Sequence, residues 1–180
     1  MIEKTLFFKT TIFKGSNIVL AGGWGADTIY GNGDDNIIIG GGDADTMDGG
    51  NGSDTFKFVN EIPGSGTDGL LGGISGDRID DFSFGKNDAT QADRIDLHML
   101  FDFSDLKGND ILNGNAQHDA DVLINKGYMQ INKVSNSGKT DYAFLIDRNG
   151  GGVAATLFTL VNVTDALGGD TQINGSETTN

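Results

Sequence analysis

The chain reads as all-β: a short parallel β-roll that is capped by, and continues into, a C-terminal β-rich region. Three observations predict this. Nine-residue blocks repeat in unbroken register over 22–57. Glycine and aspartate dominate those blocks. Elsewhere, short β-branched and aromatic runs alternate with polar turns, and helical periodicity is poor.

The blocks are GGWGADTIY (22–30), GNGDDNIII (31–39), GGGDADTMD (40–48) and GGNGSDTFK (49–57). Their template is G-G-x-G-x-D-x-U-x, with U apolar. The first and fourth match it fully. The second departs at Asn32, Asp34 and Asn36, the third at Asp43. Six residues of each block make a turn, in which glycine lets carbonyls converge, and three make a strand whose middle residue points inward. Each block is half a coil, so blocks two apart stack at about 4.8 Å, the spacing of neighbouring strands. Stacking puts Asp27 over Asp45 on one edge and Asn36 over Asp54 on the other. A cation between stacked turns can take both side chains and several glycine carbonyls. That suits Ca²⁺, which takes about six to eight oxygens. Asn36 is a neutral ligand and makes the weaker site.

Inward residues Ile29, Ile38, Met47 and Phe56 form a core too small to stand alone, so caps are required. Ile37 and Ile39 flank Ile38 and are apolar too. A neighbouring segment is expected to cover them, either TLFFKTTIF (5–13), which reads as a strand, or the C-terminal half.

Composition agrees with a cation-binding chain. The net charge of −14 repels nucleic acid and anionic membranes, so no nucleic-acid partner is expected. All 26 acids except Glu3, Glu61 and Glu177 are aspartate, the short carboxylate that fits tight turns beside a hard cation. Glycine is 29 of 180 residues against a usual share of about 7%, with a single proline. There is no cysteine, which excludes disulfides and thiolate metal sites. No apolar run approaches the roughly 18 residues of a transmembrane segment. Residues 1–13 lack the features of a leader peptide, so any export address is expected elsewhere.

Beyond the repeats, 59–71 reads as a loop and GGISGDRID (72–80) as a degenerate fifth block whose Asp77 resumes the roll. The best helix candidate is 93–101. Residues 105–121 read as loop. Strands are expected at 122–124, 128–134, 142–146 and 157–163, and 168–180 as a polar tail. The segments are thus 1–21 (N-terminal strand or cap), 22–57 (roll), 58–101 (degenerate repeat and post-repeat region) and 102–180 (C-terminal cap).

The nonapeptides resemble those of the RTX family of bacterial type I secretion substrates. GGNGSDTFKF, GDRIDDFSFGKND and DRIDL, within 49–97, are similar to the stretch that follows the last full repeats in that family. It holds a D-x-I-x-D-F motif (Asp77, Ile79, Asp81, Phe82) and a D-x-I-D-L motif (Asp93, Ile95, Asp96, Leu97). DYAFLIDRNGGGVAATLFTLVNVTD (141–165) resembles the C-terminal target region of large RTX adhesins. The resemblance implies one-step export of the unfolded chain, an uncleaved C-terminal signal in 102–180, and folding outside the cell where calcium is plentiful. It implies the type I machinery as partner: an ABC transporter, a membrane fusion protein and an outer-membrane channel. The expected location is secreted or on the bacterial cell surface, as a monomer. Family ligand positions carry over to Asp27, Asp45, Asp54 and Asn36. The candidate metal set adds Gly23, Gly25, Gly41, Gly50 and Gly52, the substituted positions Asp34 and Asp43, and Asp77 and Asp93. The last two could equally close turns or pair with Arg78 and Arg94.

Several motifs weigh against an enzyme. GSGTDG (64–69) matches G-x-G-x-x-G but opens no helix. DRNGG (147–151) reads as a hairpin turn, since an EF-hand would need Glu where Phe158 stands. His98 and His118 lack a catalytic neighbour pattern. Trp24 occupies a variable turn position, where it could be an exposed contact residue; packing on a neighbouring segment is the expected reading. The ninth-position residues Tyr30, Ile39, Asp48 and Lys57 form no regular ligand-binding row. The expected function is a calcium-dependent folding and export module of an RTX adhesin, and the alternative is the C-terminal roll of a secreted RTX metalloprotease or lipase.

Overall fold

A computed structural model describes residues 18–59, 76–85, 88–99, 122–136, 139–146 and 155–163. The strands are β1 (Ile18–Trp24), β2 (Thr28–Asn32), β3 (Asn36–Gly42), β4 (Thr46–Gly50), β5 (Thr55–Val59), β6 (Asp77–Ile79), β7 (Arg94–Met99), β8 (Met129–Asn136), β9 (Lys139–Ile146) and β10 (Ala155–Val163). They form two sheets. One is parallel, in the order β1-β3-β5-β7; the other runs β2-β4-β6-β10-β9-β8.

From β1 to β7, successive half-coils place odd strands in one sheet and even strands in the other, as a roll of half-coil blocks requires. Ile37 lies beside Val19 and Thr55, and Met47 beside Ile29: the partners are 18 residues apart in sequence. The step then lengthens. Thr46 pairs with Arg78 and Thr55 with Arg94, so the chain absorbs insertions at turns and resumes the same stacking. The degenerate fifth block does continue the roll, through β6.

The inward residues are buried: Ile29, Ile38, Met47, Phe56 and, one coil on, Ile79. Ile37 and Ile39 are half-buried beside the flanking strands, with Ile39 next to Ala21. The proposed cover at 5–13 lies outside the described residues, and β8 to β10 extend the other sheet.

Two expectations fail. The helix expected at 93–101 is strand β7. Its sequence RIDLHM alternates with period two, and Ile95 pairs with Phe56 to prolong the sheet. The strand expected at 122–124 is a short helical turn over 122–125, which buries Leu123. Three residues are too few for periodicity to separate the two states.

The C-terminal part is a continuation of the roll. β10 pairs in parallel with β6, Phe158 beside Asp77, and β9 and β8 add antiparallel strands beyond it. Aromatic rings tie the junction. Phe158 stacks on Phe58 (4.5 Å between centroids) and on Phe144 (4.4 Å), while Phe84 meets Tyr142 edge-on at 5.6 Å. Phe158 and Tyr142 are fully buried. Phe158→Ala is expected to cost about 3–5 kcal/mol, as for other buried aromatics. Urea unfolding in saturating calcium measures it. A loss below about 1 kcal/mol would show that this junction does not support the fold.

Candidate metal centre

Each turn of the roll ends in the sixth residue of its block, and those residues stack. On one edge the Asp27 amide donates to Asp45 Oδ1 (2.7 Å), and the Asp45 amide donates to Asp77 Oδ1 (2.8 Å). On the other, the Asn36 amide donates to Asp54 Oδ1 (2.7 Å), and the Asp54 amide donates to Asp93 Oδ1 (2.8 Å). The structure thus brings Asp27, Asp45 and Asp77 into one ladder and Asn36, Asp54 and Asp93 into another.

The ladder bonds go to Oδ1 of Asp45, Asp54, Asp77 and Asp93. The second oxygen, Oδ2, of Asp27, Asp45 and Asp54 is buried with no hydrogen-bond donor. An unpartnered buried carboxylate oxygen costs free energy on the order of kcal/mol, and a hard cation removes that cost. Glycine shapes the space around it. A Cβ at Gly40 or Gly49 would collide with Oδ2 of Asp45 or Asp54, and one at Gly41 would collide with the Gly23 carbonyl. Gly23, Gly25, Gly41, Gly50 and Gly52 all hold positive φ, as does Asp43 at 72°, an aspartate where the template has glycine. Buried, unpartnered carboxylate oxygens beside glycine carbonyls are the hard oxygen donors that a calcium ion takes.

The last turn is built differently. Asp93 also accepts from the Ser83 amide (2.8 Å), so both its oxygens receive backbone donors and it closes a turn. Asp81 accepts from the amides of Gly49 (3.0 Å) and Gly50 (2.5 Å), and Gln91 Oε1 accepts from Gly52 (2.9 Å). Side chains therefore cover the 49–54 turn where another glycine turn would stack. The sequence reading placed Asp81 in a motif but not in the site. The available signal was its spacing of four from Asp77, which sets it opposite Gly49. Asp34 is exposed, and its amide donates to Asn32 Oδ1. Trp24 is 62% exposed, with one edge of its ring beside Gly42 of the next coil.

Burial without a counter-ion drives the aspartates towards the neutral form. It raises Asp45 and Asp54 to about 6 and Asp77 to about 8, against the inter-turn amide donors that lower them. Asp81 rises to about 7 by burial, with Asp48 alongside contributing.

Sequence comparison agrees with this geometry. The family model of the RTX calcium-binding nonapeptide repeat matches in four copies, over residues 21–56 and 104–120. Among solved structures, the chain is similar to the AlgE6R3 subunit of the Azotobacter vinelandii mannuronan C5-epimerase, at 26% identity and TM-score 0.44, over 94% of this chain and 91% of that one. No curated protein matches. The chain therefore carries RTX calcium-binding repeats on a parallel β-roll, and calcium is the ion they bind. The second matched stretch falls where the sequence suggested a loop. In the same nines, Gly108, Asp110 and Leu112 keep the fourth, sixth and eighth positions, but the leading glycines are gone. These residues lie outside the described ones.

Protons and calcium compete for the same oxygens. The folded pKa values lie above the ordinary 3.8, so the metal-free fold binds more protons than the unfolded chain between about pH 4 and pH 8. Its stability should therefore rise as pH falls through that window. Because those protons stabilise the folded form, the calcium needed for half-folding should fall over the same interval, while the folded chain's apparent affinity for calcium weakens. Titrations at pH 8 and pH 5.5 measure both, and a midpoint that does not move with pH would contradict the assignment.

Proposed function

We propose that this chain is the calcium-dependent C-terminal folding and export module of a type I secreted RTX adhesin, disordered at cytosolic calcium and folded outside the cell. The observation that carries the calcium switch is the set of unpartnered, buried carboxylate oxygens on Asp27, Asp45 and Asp54. Without an ion, these turns hold desolvated carboxylates over a thin core, which favours the disordered chain. With an ion bound only by the folded form, binding free energy becomes folding free energy. Each site contributes about 1.4 kcal/mol when calcium is ten times its Kd. Extracellular calcium modules bind at roughly 10⁻⁴–10⁻³ M, so the sites are empty in a cytosol and filled outside.

The export and adhesin parts of the proposal rest on the likeness of 49–97 and 141–165 to the ends of such proteins. In this reading the type I transporter, membrane fusion protein and outer-membrane channel are the partners, and the destination is the cell surface. In this reading the module has no catalytic role of its own, which the engagement of its buried aspartates in the inter-turn ladders supports.

Circular dichroism with calcium added and then withdrawn by EGTA tests the switch. The repeat region at least should be disordered without calcium and β-structured at millimolar calcium, reversibly. A fully folded spectrum in EGTA would sink the proposal.

A further inference from the structure

Four turns in the roll share a template, yet one of them departs from the other three in backbone and in hydrogen bonding. In turns 22–27, 40–45 and 49–54, positions two and four both have positive φ: Gly23 and Gly25, Gly41 and Asp43, Gly50 and Gly52. In turn 31–36 neither Asn32 nor Asp34 does.

The sixth position differs too. Over Gly22, Gly40 and Gly49 lies the Oδ2 of Asp27, Asp45 and Asp54, the oxygen left without a donor. Over Gly31 lies Asn36 Oδ1, and it accepts the Asn32 amide at 2.9 Å. Asn36 Nδ2 donates to Asn32 Oδ1 (3.3 Å), which also accepts the Asp34 amide (2.8 Å). Backbone N–H groups can only donate, so each of the two side-chain amides has its oxygen placed by a backbone donor, and neither can be flipped. Asn36 is 2% exposed, and no oxygen of its side chain is buried without a partner.

We propose that turn 31–36 takes no calcium: the Asn32–Asn36 pair closes it with the chain's own hydrogen bonds, in the place where the three aspartate turns require an ion. The oxygen that would face the ion is occupied by an N–H. The neutral amide carries no desolvated charge, so this turn has no electrostatic cost for an ion to offset. The two edges of the roll are therefore unequal, and turn 31–36 needs no ion of its own once the neighbouring turns have stacked. This rests on the reading of the aspartate turns as calcium sites.

Calorimetric titration of the full chain, with folding at saturating calcium checked by circular dichroism, counts the bound ions. Asn36→Ala should leave the number of ions unchanged, whereas loss of one ion would overturn the inference. Restoring the template with Asn32→Gly, Asp34→Gly and Asn36→Asp together should add one ion per chain. A folded triple variant with the wild-type number of ions would overturn it equally, and this arm decides the question if Asn36→Ala fails to fold. A wild-type chain that binds no calcium would instead overturn the calcium reading beneath it.

Discussion

The roll depends on one constraint: a carboxylate that is stacked, buried and left with one oxygen unpaired. The inter-turn bond from each sixth-position amide to the carboxylate one coil on fixes the register, because it forms only when the turns superpose. The same superposition buries the second oxygen. A fold that satisfies its backbone in this way creates an ion requirement at each aspartate turn. Strands β2, β3 and β4 each contribute a single inward apolar side chain, Ile29, Ile38 and Met47, and such a thin core cannot offset several desolvated charges.

That constraint explains where the chain spends its departures from the template. Insertions enter at turns, since the strands must keep their partners: 18 residues separate Ile29 from Met47, and a longer excursion separates Met47 from Ile79, yet all three inward side chains align. At the end of the roll, side chains replace the glycine turn. Asp81, Gln91 and Asp93 take the amides that a further coil would have taken. β10 then seals the edge of the second sheet at β6, and the Phe58–Phe158–Phe144 stack anchors it.

Most of the repeat region was legible in the sequence because the period of nine fixes strand, turn and register together. Asp27 over Asp45 and Asn36 over Asp54 follow from counting alone, and so do the inward Ile29, Ile38, Met47 and Phe56. Asp77 was legible as a return to the pattern. What counting does not reveal is long-range: that β10 joins β6 across 81 residues of sequence, from Asp77 to Phe158, and that β7 is a strand. Arg94–Met99 is short enough for either state, and its partner Phe56 decided it. The second matched stretch, 104–120, escaped because its first block has lost both leading glycines and its second keeps only Gly114. Nor could composition show that Asn36 turns to Asn32, since a neutral ligand and a hydrogen-bonded plug read alike in one dimension.

The central claim is that calcium holds the stacked turns together. Hydrogen exchange of the Asp27 and Asp45 amides, followed by NMR with and without EGTA, tests it at the bonds concerned. Both amides donate to a carboxylate one coil away, so the account predicts strong protection in calcium and exchange at the rate of an unstructured chain once calcium is removed. Protection of either amide that persists in EGTA would contradict it.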